Sequence, residues 1–226
     1  MKRECFLDFN WLALKIHNDF FRSFSGRLSG TVVDLGSGAQ LYRDDIRSLG
    51  CKYVSVDWSN SYHEVRPDVV ADLNVGVDLP DSFADCVIGF SVLEHLYRPE
   101  RLIQEAQRIL KPGGSLYMQV PFQWAVHEAP YDYVRFTRFG LEKLFEGAGF
   151  KNISINADCG YWVTAALKLN YHARRLLRGP RGVRWLIQAV LTPFWIAGQA
   201  FASLADRLDF DENETASYTV RAEKLT

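Results

Sequence analysis

The sequence predicts an α/β fold built on a doubly wound, parallel sheet, and two observations carry this prediction. Short, almost continuously apolar runs alternate with helical stretches from residue 31 onward, as in strands that are covered on both faces. The chain has 226 residues, of which 48% are hydrophobic and 23% charged, an ordinary globular composition that excludes a disordered or collagen-like chain. The predicted strands are residues 31–35, 53–56, 69–71, 86–90, 116–120 and 153–156.

Three helices are predicted between these strands. Pro99 suits the first position of the second helix, and Lys-Pro-Gly-Gly at 111–114 ends that helix and turns the chain into the next strand. Gly149 ends the third helix in the same way. The predicted helical ranges are residues 41–49, 99–110 and 138–148.

The N-terminal segment is predicted to form an amphipathic helix that packs against the rest of the chain. It begins with basic residues, as a signal peptide does, but polar side chains interrupt every apolar run before it reaches the length of a signal sequence. The residues on the predicted apolar face are Phe6, Phe9, Leu12, Ile16 and Phe20.

Net charge and cysteine content bear on partners and compartment. The 26 basic and 27 acidic residues give a net charge of −1, so there is no overall electrostatic reason to bind nucleic acid. The four cysteines lie far apart, without a C-x-x-C pair or a nearby histidine at metal-ligand spacing. They are therefore predicted to be reduced thiols of a cytoplasmic protein, and no metal site is predicted.

A glycine-containing turn follows the first predicted strand. Gly36 and Gly38 let the backbone turn tightly and approach a ligand, and the next helix presents free N–H groups to a negative charge. A dinucleotide fingerprint G-x-G-x-x-G would need glycine where Leu41 stands, which argues against NAD and leaves other adenosine ligands open. Asp57 follows the second strand, 23 residues after Asp34, where a carboxylate can accept hydrogen bonds from both ribose hydroxyls.

Five segments in this order resemble the class I S-adenosylmethionine-dependent methyltransferases. They are DLGSG at 34–38, Asp57, ADL at 71–73, SVLEHL at 91–96 and RILKPGGSLYMQVPF at 108–122. The resemblance covers residues 31–158 and implies a Rossmann-like sheet of seven strands, the last one antiparallel. One difference is Gln40, which stands where the family pattern has its third glycine.

The resemblance also implies a domain organisation and a cofactor site. A single domain would comprise an N-terminal helical segment, a cofactor-binding core, a helical insertion and the last strand, at 1–30, 31–158, 159–212 and 213–226. S-adenosylmethionine would lie with its methionine part at the glycine turn, its ribose and adenine at the second and third strands and its sulfonium near Ser91. The implied cofactor residues are Asp34, Gly36, Ser37, Gly38, Asp57, Trp58, Asp72, Leu73 and Ser91.

The segment 120–137 is the predicted source of catalytic groups. It follows the fifth strand and resembles a segment, HE-x-P-x-D-Y-x-R-x-T, of methyltransferases from cell-surface polysaccharide clusters. His127, Asp132 and Arg135 are the candidate catalytic residues, with His127 as the base that a hydroxyl acceptor would need. The alternative is a structural loop in which Arg135 pairs with Asp132. The structural role is favoured for His95.

Residues 161–205 form an insertion before the last strand, which is predicted at 217–223. The insertion carries six basic residues and no acidic one, and 185–205 is uncharged for 21 residues, long enough to span a bilayer. A single span is rejected because the strands on both sides belong to one sheet. Three alternatives stay open: a basic amphipathic hairpin on anionic lipid, a cap over the pocket, or a homodimer interface.

The predicted function is methyl transfer from S-adenosylmethionine to a hydroxyl of a small molecule or glycan, with a lipid-linked saccharide as one candidate acceptor. The alternatives are a methyltransferase for a quinone or another hydrophobic small molecule, and a non-catalytic nucleoside-binding scaffold of a membrane complex. A dehydrogenase is opposed by Leu41. The predicted location is the cytoplasm, including peripheral attachment to the inner face of the membrane.

Overall fold

The computed structural model describes residues 4–59 and 65–225, which fold around a seven-stranded sheet. The strands are β1 (Thr31–Leu35), β2 (Lys52–Asp57), β3 (Val69–Val70), β4 (Ala84–Phe90), β5 (Leu110–Pro121), β6 (Lys151–Ala157) and β7 (Ser217–Glu223). Their order in the sheet is β3-β2-β1-β4-β5-β7-β6. All run parallel except β7, which lies antiparallel between β5 and β6. The predicted fold class, including its antiparallel last strand, is confirmed.

Within the described ranges, six α-helices surround this sheet. They are α1 (Trp11–Ser25), α2 (Arg43–Ser48), α3 (Pro99–Ile109), α4 (Arg138–Gly147), α5 (Tyr161–Arg174) and α6 (Arg181–Leu208). Side chains of α3 and α4 pack on one face of the sheet, and side chains of α1 and α2 pack on the other. The carboxyl ends of the parallel strands are left open, and ligands bind at that edge in open α/β sheets.

Neighbouring residues of β1, β2, β4 and β5 enter different cores, since successive side chains of a strand point to opposite faces. Val32 packs with α1 and α2, whereas Val33 packs with α3 and α4, and both are fully buried. Phe24 of α1 stacks on Tyr117 of β5 with ring centroids 4.2 Å apart. The apolar runs are therefore continuous because both faces of the sheet are covered.

The N-terminal helix begins later than predicted. Helix α1 starts at Trp11, so Phe6 and Phe9 precede it and do not lie on its apolar face. Phe9 contacts Tyr171 of α5 and Trp195 of α6, with ring centroids 5.1 and 5.8 Å apart, and Phe6 packs edge-on against Trp11. Phe9 therefore joins the N-terminal segment to α5 and α6.

The fifth strand begins earlier than predicted. Leu110 already pairs with Ala84 of β4, and the N–H of Gly113 donates to the carbonyl oxygen of Lys224 at 2.7 Å. The N–H of Lys224 donates in turn to the carbonyl oxygen of Gly114 at 3.0 Å. The Lys-Pro-Gly-Gly segment is therefore part of the strand, because the chain beyond β7 supplies its hydrogen-bond partners.

Helices α5 and α6 form an antiparallel hairpin closed by a capping carboxylate. Asp206 of α6 accepts hydrogen bonds from the backbone N–H groups of Gly160, Trp162 and Val163, at 2.7, 2.9 and 3.3 Å. The first N–H groups of a helix have no partner within that helix, and a carboxylate there also interacts favourably with the helix dipole. Asp206 thus fixes the start of α5 against the end of α6.

The buried face of α5 differs from the one that hydrophobic periodicity predicts. The pattern places Leu169 on the apolar face of this helix and Thr164 opposite, but in the structure Leu169 is exposed and Thr164 is buried. Polar contacts allow two polar residues to be buried on this face. The hydroxyl of Thr164 lies 3.4 Å from the thiol of Cys159, and the amide of Asn170 donates to the carbonyl oxygen of Phe9 at 3.1 Å. The buried residues of α5 are Val163, Thr164, Leu167 and Asn170.

Helix α6 extends well beyond the rest of the fold. All its buried residues lie in its second half, so none of residues 181–194 is buried. Within the described ranges, α6 is the one helix whose length and mean hydropathy, 1.2 over 18 residues, would allow it to cross a membrane. Since β6 precedes it and β7 follows it in the same sheet, α6 cannot cross once and leave the sheet intact.

Candidate functional site

The turn after β1 holds its backbone in a conformation that only glycine accommodates. Gly36 has a φ of +71°, and a Cβ at this position would lie 2.3 Å from Cγ2 of Val92. The N–H groups of Gly36 and Ser37 donate to the carbonyl oxygen of Val56 in β2, at 2.9 and 3.1 Å. The turn is therefore fixed between the end of β2 and the segment after β4.

Gln40 preserves the backbone conformation at the family's third glycine position. Its φ of +52° lies in the left-handed region that glycine favours. The Nε2 group of Gln40 donates to Ser55 Oγ at 3.2 Å and to the carbonyl oxygen of Arg66 at 3.1 Å, and its Oε1 accepts from Arg43 at 3.2 Å. These hydrogen bonds offset the cost of a left-handed non-glycine residue.

Asp57, at the end of β2, binds the glycine turn as well as facing the site. Its Oδ2 accepts from the N–H of Gly38 at 2.9 Å, and its Oδ1 accepts from the N–H of Trp58 at 2.8 Å. A carboxylate has about four acceptor positions, so capacity remains for a diol. The sequence did not predict that the same residue would hold the turn in place.

Asp34 lies buried at the end of β1. Burial raises the pKa of Asp34 to about 7, although the hydrogen bond from the hydroxyl of Tyr53 to its Oδ2, at 2.5 Å, opposes this shift. The nearby charge of Asp57 raises the pKa of Asp34 further. Near neutral pH this carboxyl is therefore close to the midpoint of its titration.

A cavity of about 450 Å³ opens at the carboxyl ends of β1, β2 and β4. It is lined by all nine residues that the sequence predicted for the cofactor, namely Asp34, Gly36, Ser37, Gly38, Asp57, Trp58, Asp72, Leu73 and Ser91. The structure adds six residues with rings, His17, Tyr42, Phe90, Tyr97, Tyr131 and Tyr133. Trp58 and Tyr131 meet edge to face, with ring centroids 4.9 Å apart. The individual roles of the nine residues towards the cofactor stay predictions.

The three candidate catalytic residues form one hydrogen-bonded group. Asp132 accepts hydrogen bonds from both terminal nitrogens of Arg135, at 2.5 and 2.8 Å, and from the N–H of His127 at 2.9 Å. Burial opposes ionisation, but these hydrogen bonds prevail and lower the pKa of Asp132 to about 2. Of the three residues, only His127 lines the cavity. The pair of Arg135 and Asp132 holds His127 in position through the hydrogen bond that Asp132 accepts from its N–H.

Glu94 is a fully buried acid beside two histidines. Neither of its oxygens has a hydrogen-bond partner among the residues described. Its Oε1 lies 3.7 Å from Nε2 of His95 and 3.8 Å from Nε2 of His127. Burial raises the pKa of Glu94 to about 8, so the acid is mainly neutral at pH 7. His95 is oriented by a contact of 2.6 Å between its Nδ1 and the carbonyl oxygen of Tyr131.

The same three side chains form the one group of metal donors found among the described residues. One donor atom each from Glu94, His95 and His127 lie within 4.8 Å of one another. Carboxylate and imidazole groups are ligands that zinc and other transition ions use. The sequence predicted no metal site because His95 and His127 are 32 residues apart, and only the fold brings them together.

A second cavity, of about 660 Å³, adjoins the first. It lies between α1, the end of β5 and α5, and it shares His17, Ser91 and His127 with the cofactor cavity. No pattern in the sequence indicates this cavity, since its walls come from distant parts of the chain. Two ligands bound in the two cavities would meet beside His127.

A family model described as a methyltransferase domain matches residues 12–155, more than half of the chain. The chain belongs to this methyltransferase family. The matched range includes β1 to β5, the predicted cofactor residues and the predicted catalytic residues.

Two curated relatives of this methyltransferase match parts of the chain. A probable S-adenosylmethionine-dependent methyltransferase of Mycolicibacterium smegmatis is 24% identical over 148 residues, 60% of this chain and 58% of that protein. The mitochondrial ubiquinone biosynthesis O-methyltransferase of Mus musculus is 31% identical over 106 residues, 40% of this chain and 29% of that protein. The chain thus matches less than two thirds of the length of either relative.

Solved structures show that the fold is shared beyond these relatives. A SAM-dependent methyltransferase from Archaeoglobus fulgidus superimposes with a TM-score of 0.57 at 16% identity, over 94% of each chain. Phosphoethanolamine N-methyltransferase 2 of Haemonchus contortus, solved with S-adenosyl-L-methionine, gives a TM-score of 0.58 at 14% identity, over 100% of this chain and 61% of that chain.

S-adenosylmethionine is the cofactor of this methyltransferase, as the sequence predicted, and the first cavity fits it. Gly36 presents its backbone to the cavity, and a side chain at this position would clash with Val92. Within the described part of the chain, the buried Ser37 Oγ in the lining has no hydrogen-bond partner and is available to a polar ligand. Asp57 would hold the ribose, and the rings of Trp58 and Tyr131 offer a surface for the adenine.

Proposed function

We propose that this methyltransferase acts on a hydroxyl group of a small molecule or glycan, with His127 as the general base. The observation that supports this function is the position of His127, which lines both the cofactor cavity and the second cavity. S-adenosylmethionine supplies an electrophilic methyl group on its sulfonium. A hydroxyl acceptor must lose a proton, and a base between the two cavities lies where that proton is released.

The surroundings of His127 favour Nε2 as the nitrogen that accepts the proton, with Glu94 Oε1 3.8 Å away, beyond hydrogen-bond distance. Its Nδ1 lies 3.3 Å from Asp132 Oδ2 and 3.2 Å from the carbonyl oxygen of Ala125. Both neighbours are acceptors, which favours the tautomer that carries hydrogen on Nδ1. The ionised Asp132 would stabilise the imidazolium that forms when Nε2 takes the proton, as a carboxylate does in other His–Asp pairs.

The second cavity is the proposed acceptor site. Its wall includes Trp124 and Tyr171, whose rings meet edge to face at 4.8 Å, as well as Gln119 and Ser217. Rings next to hydrogen-bonding groups suit a saccharide, which presents C–H faces and hydroxyl groups. The resemblance of segment 120–137 to methyltransferases of polysaccharide clusters points the same way, and the proposed acceptor is a lipid-linked saccharide.

A quinone or another hydrophobic small molecule is the second candidate acceptor. The observation that favours it is the name of the mouse relative, a ubiquinone biosynthesis O-methyltransferase, which is 31% identical over 106 residues. The two acceptors require the same base but different walls around it. A phenolic hydroxyl is also more acidic than a sugar hydroxyl, so a quinol substrate would depend less on His127.

Methyl transfer from labelled S-adenosylmethionine to two acceptor panels tests this proposal. One panel is a lipid-linked saccharide fraction and the other is a set of reduced hydroxyquinones. We expect label in the saccharide fraction as an alkali-stable methyl ether, and no label with His127→Asn. Label in the hydroxyquinones alone would establish the second candidate. Binding of S-adenosylhomocysteine without transfer to either panel would instead favour the non-catalytic scaffold.

We also propose that the α5–α6 hairpin docks on an anionic membrane surface. An apolar stripe runs along the solvent-facing side of α6, with members three or four residues apart except for a step of seven residues between Phe194 and Phe201. It consists of Val183, Leu186, Val190, Phe194, Phe201, Leu204 and Leu208, which are 46–82% exposed. At 1.5 Å per residue the stripe is about 37 Å long. A continuous exposed apolar surface of this kind marks an interaction site.

The charge of the hairpin argues for lipid as the occupant of this stripe. Between residues 161 and 205 there are six basic residues and no acidic one, and five of them lie at 174–184, around the turn between the two helices. Basic residues flanking an apolar helix face are typical of helices that lie on anionic membranes. A homodimer through the same surface would place these like charges near one another, which disfavours it.

A further inference from the structure

We propose that the second cavity binds a phosphate group of the acceptor through Lys168, His172 and Arg175, which we call the basic wall. The inference rests on the proposed function, because that function assigns the acceptor to this cavity. The inference goes beyond the proposed function because it assigns a negative charge to the acceptor and names the side chains that recognise this charge.

The basic wall lies along one face of α5 and includes Arg175, the C-cap residue that follows the helix. Positions 168, 172 and 175 are separated by four and three residues, so their side chains lie in one row along the helix. All three line the second cavity, and all three are exposed enough to reach a ligand within it. The wall stands next to Trp124 and Tyr171. A saccharide packed against these rings would therefore place a substituent within reach of the wall.

The charge of the basic wall is not neutralised by the protein. Lys168 Nζ donates to the neutral amide oxygen of Gln123 at 2.7 Å. Among the residues described, no carboxylate lies within ion-pair distance of Lys168, His172 or Arg175. The one acidic residue in the lining, Glu94, is fully buried where the two cavities meet. The cavity therefore presents unopposed positive charge to its ligand.

Arg108 and Arg135 differ from the basic wall in this respect. Arg108 binds Glu105 and Asp81, at 2.9 and 2.6 Å, and Arg135 binds Asp132. The charge of each of these two guanidinium groups is met by carboxylates. Lys168 and Arg175 have no such partner in the part of the chain that the structure covers, although they line a cavity large enough for a ligand.

Phosphate matches this arrangement better than a neutral hydroxyl does. A guanidinium group binds phosphate oxygens with two parallel hydrogen bonds, and an ammonium group adds a point charge. The phosphate could belong to a soluble saccharide phosphate or to the phosphate that links a saccharide to a lipid. The basic wall would recognise the group that both have in common.

Calorimetric titration of inorganic diphosphate into the protein saturated with S-adenosylhomocysteine tests the inference. We expect binding that weakens roughly tenfold or more when Lys168→Gln and Arg175→Gln are combined, since each removes a charged hydrogen-bond donor. The matched control combines Arg178→Gln and Arg181→Gln. It removes the same charge from the same hairpin, but neither residue lines the cavity, so binding should stay within about twofold.

Two further arms identify the source of the phosphate. Glucose 1-phosphate represents the soluble acceptor, and a polyprenyl phosphate in phosphatidylcholine vesicles, with empty vesicles as the blank, represents the lipid-linked one. The inference is supported if one of these ligands binds more weakly to the Lys168/Arg175 double variant and not to the control variant. The ligand that shows this difference identifies the source of the phosphate.

Absence of diphosphate binding, or equal weakening in both double variants, would overturn the basic wall as a phosphate site. Titration of S-adenosylhomocysteine alone separates this failure from failure of the proposed function. If that ligand binds and diphosphate does not, only the inference about the second cavity falls.

Discussion

Asp132 Oδ2 lies 3.3 Å from Nδ1 of His127, and the same carboxylate is held by two hydrogen bonds from Arg135. Because the pKa of Asp132 is lowered to about 2, the carboxylate is ionised throughout the physiological pH range. A fixed negative charge next to Nδ1 orients the ring. The same contacts therefore fit both hypotheses: a structural loop in which Arg135 pairs with Asp132, and a catalytic role for His127.

The first prediction concerns His127. In His127→Asn we expect turnover on the true acceptor to fall by roughly 10²–10⁴, the usual effect of removing a positioned base. The Kd for S-adenosylmethionine, measured by calorimetry, should stay the same, because the base contacts the acceptor. Near-normal turnover of this variant would mean that the histidine is structural.

The second prediction concerns Asp57. Asp57→Ala should weaken S-adenosylmethionine binding by about 1.5–3 kcal/mol, the range for hydrogen bonds to a charged group. The loss includes the support that Asp57 gives to the N–H of Gly38. Asp44→Ala is a suitable control, since it removes an exposed carboxylate from nearby α2. An unchanged Kd for Asp57→Ala in calorimetry would contradict the assignment of Asp57 to the ribose.

The strand pattern and the family resemblance together predicted the residues that line the first cavity, and their roles towards the cofactor stay predictions. The glycine turn, Asp57 and Asp72 each lie at or just after the end of a strand in the parallel part of the sheet, and the carboxyl ends of parallel strands meet at one edge. A prediction of strands and their directions therefore places these residues together. Gln40 shows the limit of such reasoning, because the hydrogen bonds that support its left-handed backbone come from Ser55 and Arg66.

The second cavity and the group around Glu94 could not be predicted in this way. Glu94 and His127 meet only because the segments after β4 and β5 pack against each other. The basic wall faces a cavity because α5 lies beside β5 and α1, and the start of α5 is capped by Asp206 from the far end of α6. Such contacts join distant parts of the chain, and neither residue spacing nor hydrophobic periodicity records them.

The third prediction is a loss of stability as pH rises. Burial raises the pKa of Asp34 and of Asp158 to about 7, and that of Glu94 to about 8. The native state therefore binds more protons than the unfolded state between about pH 4 and pH 8, so the free energy of unfolding falls across this window as pH rises. Calorimetry at constant ionic strength should show a lower Tm at pH 8.5 than at pH 5.5.

Glu94→Gln provides the matched test of this pH dependence. A glutamine cannot ionise, so the variant should lose less stability than the parent protein between pH 5.5 and 8.5. The control is Glu142→Gln, which removes an exposed carboxyl from α4 and should leave the dependence unchanged. About 1 kcal/mol corresponds to roughly 2–4 °C in Tm at this chain length, so the difference is measurable. A Tm that rises with pH would contradict the prediction.

The fourth prediction concerns the exposed stripe on α6. At low salt the protein should sediment with vesicles that contain anionic lipid, and high salt should release it, because salt screens the attraction of about 1 kcal/mol per cation. Phe194→Ser combined with Leu186→Ser should reduce sedimentation, since both side chains are exposed members of the stripe. The control is Leu49→Ser combined with Val75→Ser, which changes exposed apolar residues outside the hairpin.

Charge reversal separates the possible occupants of this stripe. Arg178→Glu combined with Arg181→Glu should weaken binding to anionic vesicles, because both residues lie at the turn of the hairpin where no acidic residue offsets them. A dimer interface would ignore lipid charge and appear as a doubled mass in light scattering, lost in the Phe194/Leu186 variant. A membrane span would resist both salt and carbonate extraction. If the purified protein stays in the supernatant with anionic vesicles at low salt, surface docking is wrong and the stripe has another partner.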